Sequence, residues 1–409
     1  MDINTIMFMI FGGIGVIMAA GVIAFIVITV VKVSSGINKN ASYGKVGADN
    51  TDKFYEQRAK EFLKAAEEGD ADAQFALAEI YEFHESGKYL YWLEKASLQG
   101  HAEATRALAE AYDYGNESAV PPIEEDREKA IEIYTRLVEK GDADAMKKIS
   151  LIYAVNYEDD EKAREWVQKA AEAGDIESME ELGNDYRLIG DIADFDKSEY
   201  WYRKAADLGS GDAMKGLGDL YCYDENRHDY IQAENWYKKA VAAKNYFAYV
   251  RLGDMVKDGK ITQSDASAAY AYYTKAAEKG ENQGKVKMAE CLFDGYGVDR
   301  DEGKAVAILK EAANGGYSEA NYKLGMCYFD GTGVAQDYKT AVDHFTKCNK
   351  YDDEALNKLG ECYYFGYGVK ADKEKAHDLW HKAAEMECED AVENLKIYFY
   401  ETVELCDSH

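Results

Sequence analysis

The chain has 409 residues and a formal net charge of −29, and nearly all of that acidity follows Asn50, because residues 1–50 hold three lysines against two aspartates. A body this acidic repels phosphates and anionic lipid heads, so nucleic acid is excluded as a partner and basic proteins or peptides are favoured. With only two prolines the chain favours helices, and its 34 glycines fall at regular places.

Residues 1–5 are a short tail. From Ile6 to Val31 there are 26 consecutive residues without a charge, rich in Ile, Val, Met and Phe. About 20 apolar helical residues cross a bilayer, so a transmembrane helix is expected over 6–31. A cleaved signal peptide needs a basic start and a shorter apolar core, whereas only Asp2 precedes this run. Lys32, Lys39 and Lys45 follow the span and none precedes it, which puts the C-terminal side in the cytoplasm. The expectation is a single-pass membrane protein with a cytoplasmic repeat domain. Residues 32–51 have no hydrophobic period and read as a flexible linker.

Beyond the linker the chain repeats. Small residues at Ala73, Ala104, Ala145, Ser178, Ala213, Ala248, Gly284, Ala320, Ala355 and Ala391 recur with a period near 36. A period of that length means stacked helical hairpins, each burying its apolar face on its neighbours. Counting this residue as position one of the second helix, Leu217 and its equivalents stand at five, Gly218 and other small residues at six, and Tyr221 and other tyrosines at nine. Positions one, five and nine share a face. Gly inside a helix costs about 1 kcal/mol against Ala, so its recurrence at position six implies close approach of a neighbouring helix. All five tryptophans fall in one two-residue slot of the first helix: Trp92, Trp166, Trp201 and Trp236 in its first place, Trp380 in its second. Residues in a fixed slot are packing, and His344 in the same slot is read as a core histidine. Cys291, Cys327 and Cys362 share one repeat position, about a repeat apart and too far for a disulfide; they are read as small buried residues.

The closest copies of the unit, Glu319–Val334 (E-A-N-Y-K-L-G-M-C-Y-F-D-G-T-G-V) and Glu354–Val369 (E-A-L-N-K-L-G-E-C-Y-Y-F-G-Y-G-V), follow K-A-x-x-W-Y-x-K-A-A-x-x-G helices. The pattern resembles the Sel-one-like repeat, a branch of the tetratricopeptide superfamily. The resemblance covers roughly residues 52–404, followed by a tail over 405–409. It implies an all-α fold, an α/α superhelical solenoid of stacked helix-turn-helix repeats beside the one N-terminal transmembrane helix, and a role in assembling protein complexes. The first two repeats depart from it, lacking the G-x-G-V loop, and Gly115 to Glu124 with Pro121-Pro122 is an insertion on a loop.

Motifs that resemble chemistry are explained otherwise. Gly295-Tyr-Gly297, Gly331-Thr-Gly333 and Gly366-Tyr-Gly368 follow helices, whereas phosphate cradles precede them; they are read as left-handed turns. Gly297 to Lys304 departs from a phosphate loop in its spacing and in Ala305. His377 and His381 lie four apart, as in zinc peptidases, with Glu385 as a third donor, but Asp378 replaces the required Glu. They are read as an exposed pair, so neither metal nor cofactor is expected and no enzyme.

The most function-like feature is a stripe at position seven: Glu79, Glu110, Asp219, Asp254, Glu290 and Glu361. On a helical wheel it points away from the packed face, and such a ladder would receive a basic or extended peptide. The competing reading is intrahelical pairing, because Arg106, Lys215, Arg251, Lys287 and Lys358 stand three or four residues away. The expected function is a membrane-tethered scaffold that binds proteins or peptides on the inner surface of the solenoid. The alternative is a secreted or periplasmic repeat protein acting as a cell-envelope hydrolase or regulator.

Overall fold

The computed structural model describes residues 48–82, 85–117, 119–188, 192–224, 227–261, 264–348 and 352–400. Among these stand 20 helices and no strand beyond a single bridge between Asn116 and Ile123. The span expected over 6–31 lies outside the described residues, as does the tail over 405–409. The expected single-pass membrane localisation is corrected: among the described residues no helix is long and apolar enough to cross a membrane. The longest, α1 (Ala48–Glu67), has 20 residues but is studded with charges from Asp49 to Glu67. The other helices reach only 9–14 residues, the length of one face of a hairpin.

The single array expected over 52–404 divides into two compact units, residues up to 108 with 115–124, and residues 109–114 with 125 onward. The division falls at the longest repeat spacing, where the insertion interrupts the period. The first unit comprises α1, α2 (Ala71–Tyr81), α3 (Ser86–Leu98) and the first half of α4 (Ala102–Tyr114). Leu77, Leu93 and Leu108 form its buried centre. The insertion is an ordered clip: Ser86 N–H donates to Val120 O at 3.0 Å and Ser86 Oγ to Pro121 O at 2.6 Å. The loop thereby satisfies donors at the start of α3 that the helix itself leaves open.

In the second unit each first helix is followed by its second: α5 (Arg127–Val138) and α6 (Ala143–Asn156), α7 (Asp160–Glu172) and α8 (Ile176–Leu188), α9 (Phe195–Asp207) and α10 (Gly211–Tyr223), α11 (Tyr230–Ala242) and α12 (Phe247–Lys257). The series continues with α13 (Ala266–Glu278) and α14 (Asn282–Asp294), α15 (Glu302–Asn314) and α16 (Ser318–Asp330), α17 (Tyr338–Thr346) and α18 (Asp353–Phe365), α19 (Lys373–Ala384) and α20 (Glu389–Phe399). Part of the acidity is spent on starting these helices. Asp194, for instance, accepts from Lys197 N at 3.1 Å as the N-cap of α9, and Asp372 from Lys375 N at 3.0 Å as that of α19. The same aspartates donate their N–H to position nine of the preceding second helix, Asp194 to Tyr186 O at 2.7 Å and Asp372 to Tyr363 O at 2.8 Å. The lysine ammonium then lies over that tyrosine ring, 5.0 Å away for Lys197 and 4.0 Å for Lys375. One D-x-x-K segment therefore caps its own helix and locks it to the hairpin before. Gly295, Gly331 and Gly366 end their helices in the left-handed region and donate to Cys291, Cys327 and Cys362 carbonyls, as the turn reading expects.

Successive second helices α8 and α10, α12 and α14, and α14 and α16 touch directly, and among the described residues no successive first helices come as close. The second helices thus form the tighter side of the stack, and position seven lies on them.

Candidate functional site

Position six explains what surrounds position seven. A Cβ on Gly218 would lie 2.4 Å from the ring of Tyr237, one on Gly253 2.4 Å from Tyr273, and one on Gly183 2.5 Å from Tyr202. The ring of the next first helix lies flat on the bare backbone of the second helix. Its hydroxyl then reaches the following residue: Tyr237 donates to Asp219 at 2.8 Å, Tyr273 to Asp254 at 2.8 Å and Tyr202 to Asn184 at 2.6 Å. Where the ring is Phe345, on Gly325, position seven is Met326. Burial, reinforced by the adjoining carboxylates, pushes the hydroxyls of Tyr237 and Tyr273 far above the usual tyrosine range, so both remain donors.

Five of the six stripe acids, Glu110, Asp219, Asp254, Glu290 and Glu361, are therefore compensated. Asp219 is buried, with Lys215 Nζ at 2.9 Å and Arg251 Nε at 3.2 Å. Arg251 also reaches Asp254 at 3.9 Å, linking two rungs. Glu290 holds Lys287 at 3.2 Å and Lys323, from the next repeat, at 2.8 Å. Lys148 lies 3.8 Å from Glu110, and Lys358 lies 2.8 Å from Glu361. Glu79 is exposed on α2 in the first unit. The two half-buried acids titrate in opposite directions. Burial pushes the Asp254 carboxyl up, and Tyr273, Lys287 and Arg251 do not offset it. Burial also opposes ionisation of Glu290, but Lys323 and Lys287 outweigh it and hold the carboxyl below its usual range.

Two clefts open on this face in the same register. One, of 510 Å³, lies between α8 and α10 and is lined by Arg187, Leu188, Phe195, Asp219 and Tyr223 among others. The second, of 420 Å³, lies between α14 and α16 and is lined by Glu290, Phe293, Asp294, Tyr322, Met326 and Asp330 among others. The stripe residues Asp219 and Glu290 thus contribute to cleft walls. Sequence reasoning passed over the other linings, though their recurrence at positions ten and eleven was a usable signal.

The remaining motifs are placed as follows. Trp92, Trp201, Trp236 and Trp380 are buried, and half-buried Trp166 lies under Lys169 at 3.7 Å. His344 Nδ1 lies 3.1 Å from Asn321 Oδ1, its ring stacks on Tyr328, and burial lowers its pKa. Cys291, Cys327 and Cys362 are free and buried, and burial pushes the Cys291 thiol up to about 11. The rings of His377 and His381 are 4.5 Å apart, with Phe399 against His377. Glu385 is the C-cap of α19, and among the described residues no group of three or more His, Cys, Asp or Glu could hold a metal ion.

Fold and face together define an all-α solenoid of helical-hairpin repeats, a class that generally mediates protein interactions. The Sel1 repeat family model matches residues 71–88, 90–101, 102–142, 156–175, 176–210, 211–245, 247–281, 284–317, 318–347 and 353–388, and the chain belongs to this family. A solved Sel1 repeat protein from Oxalobacter formigenes is 28% identical, with a TM-score of 0.58 over 76% of this chain and 91% of that one. A protective antigen with an SLR fold from uropathogenic Escherichia coli is 23% identical, covering 84% and 91% with a TM-score of 0.34. Yeast Tom70 is 16% identical, covering 85% of each chain with a TM-score of 0.46. No curated protein matches.

Proposed function

We propose that this chain is a non-catalytic scaffold that binds a protein or peptide along the second-helix face of its second unit, with the position-seven residues from Glu110 to Glu361 as the floor. The observation that carries the reading is the pair of clefts repeated in one register between successive second helices. Their walls mix charged and apolar side chains; concave sites are where ligands preferentially bind, and repetition along a stack suits an elongated ligand. Family membership supports binding as the general role.

The test is a photo-crosslinking amino acid placed at Tyr223 or Leu151 on second helices, or at Tyr200 on a first helix, all three exposed. Protein adducts are expected from the first two sites and not from the third. Adducts from Tyr200 alone would refute the proposal.

A further inference from the structure

The position that faces outward most openly along the second helices is eleven, one turn beyond the stripe. In four successive repeats it carries Tyr114, Val155, Leu188 and Tyr223, which are 58%, 64%, 64% and 44% exposed. Leu151, one turn back from Val155, adds to the same surface at 51%. In the next three repeats the position carries Asp258, Asp294 and Asp330, all exposed, before Phe365 ends the run. The two clefts record the same change, because Leu188 and Tyr223 line one whereas Asp294 and Asp330 line the other. The side chains of Asp294 and Asp330 make no hydrogen bond or ion pair among the described residues, in contrast to Glu110, Asp219, Asp254, Glu290 and Glu361 of the stripe.

Single exposed apolar side chains are ordinary, but a row of four at one register followed by a row of three acids is a pattern on a surface. At the junction the chain itself supplies a cation. Lys260 Nζ lies 3.1 Å from Asp258 and 4.5 Å from the centre of the Tyr223 ring, spanning the last aromatic and the first acid. The surface thus already accommodates an ammonium between its two halves.

We infer that the second-helix face binds one extended segment of a partner protein whose apolar side chains and Lys/Arg side chains are segregated into consecutive blocks. The apolar block lies on Tyr114 to Tyr223, and the basic block lies on Asp258 to Asp330. This rests on the binding reading above and names the chemistry of the ligand. With neighbouring helices about 10 Å apart, the apolar row is on the order of 30 Å long and the acidic row about 20 Å. At about 3.3 Å per residue this is roughly nine residues followed by six.

The test uses the full chain and three fluorescent peptides of about 18 residues. One has a Leu/Tyr block followed by a Lys/Arg block, one has the same residues interleaved, and one has Glu in place of the basic residues. Anisotropy titrations are expected to show the segregated peptide binding at least tenfold more tightly than either of the others. Asp294→Lys with Asp330→Lys should lower its affinity at least tenfold and abolish the salt dependence, and the milder Asp294→Asn with Asp330→Asn should do so in part. Val155→Ser with Leu188→Ser should lower affinity by a similar factor and leave the salt dependence in place. Equal binding of segregated and interleaved peptides, or wild-type affinity in all these variants, overturns the inference. If crosslinks map to the second helices while the peptides do not discriminate, the segregated ligand is wrong and the binding face stands. Crosslinks confined to first helices remove both.

Discussion

Gly218 offers a direct test of how the hairpins hold one another. Replacing it with Ala gains about 1 kcal/mol of helix propensity, and in an open helical site it would stabilise the protein. Here the new methyl group meets Tyr237 at 2.4 Å and 2.5 Å, and the ring is fully buried with its hydroxyl on Asp219. The ring can yield only by overpacking, which costs about 1–3 kcal/mol, or by giving up a hydrogen bond to a carboxylate worth about 1.5–3 kcal/mol. Less the propensity gain, the net expectation for Gly218→Ala is a loss of about 1 kcal/mol and at most about 2 kcal/mol. Gly303→Ala is the control, since its methyl group would meet nothing closer than 3.7 Å on α15, and it should be neutral or stabilising by up to about 1 kcal/mol. Urea denaturation followed by circular dichroism gives both values. Hydrogen exchange across α10 and α11 shows whether the loss is local, because a repeat stack need not unfold in one step. Adding Tyr237→Leu to Gly218→Ala should recover part of the loss, since the repeats with Ala78 or Ala289 at position six carry Leu93 or Leu309 in the facing slot. An unchanged or raised midpoint for Gly218→Ala would refute the reasoning.

The two half-buried rungs should respond to pH with opposite signs. Glu290 has its pKa lowered in the fold, so it contributes stability above the unfolded carboxylate pKa that is lost as pH falls through the folded value. Glu290→Gln should cost about 1 kcal/mol at pH 7, with the gap to wild type closing in acid when both are melted across pH 3–7. Asp254 has its pKa raised, so its contribution is present below the unfolded pKa and lost as pH rises through the folded value. Asp254→Asn keeps an acceptor for Tyr273, and it should be neutral or stabilising at pH 7 and lose that advantage in acid. Ser86→Ala removes the hydrogen bond to Pro121 O and should cost about 1 kcal/mol, seen as faster proteolysis within residues 115–124.

The repeat period, the buried aromatic slot and the turn glycines were legible because each is set by one helix or one turn. Position-one residues are buried, as are nearly all at position five, the position-nine tyrosines are mostly half-buried beside them, and Gly295, Gly331 and Gly366 are left-handed because they end a helix. The division into two units was not legible, since the irregular spacing before Ala145 marks an insertion without saying which helices it parts. Nor was the burial of Asp219. A helical wheel treats a helix as alone, and by that measure position seven faces outward. The residue that covers it belongs to the next first helix, 18 residues further along, and reaches it only because Gly218 lets the Tyr237 ring lie against the backbone.

That overhang also determines where a partner can meet the face. Positions seven and eleven are one turn apart and point the same way, so a wheel cannot distinguish them. The facing aromatic distinguishes them, because its ring rests on position six and its hydroxyl ends at position seven, leaving position eleven beyond its reach. Asp219, Asp254 and Glu290 at seven are consequently neutralised within the stack by Tyr237, Tyr273, Lys215, Arg251 and Lys323, whereas Asp294 and Asp330 at eleven present their charge to solvent. A substitution that neutralises Asp219 should therefore act first on stability, and one that neutralises Asp294 on binding alone. Comparing urea midpoints and peptide affinities for Asp219→Asn and Asp294→Asn separates the two roles, and a drop in midpoint for Asp294→Asn as large as that for Asp219→Asn would show that the row at eleven belongs to the fold and not to a ligand.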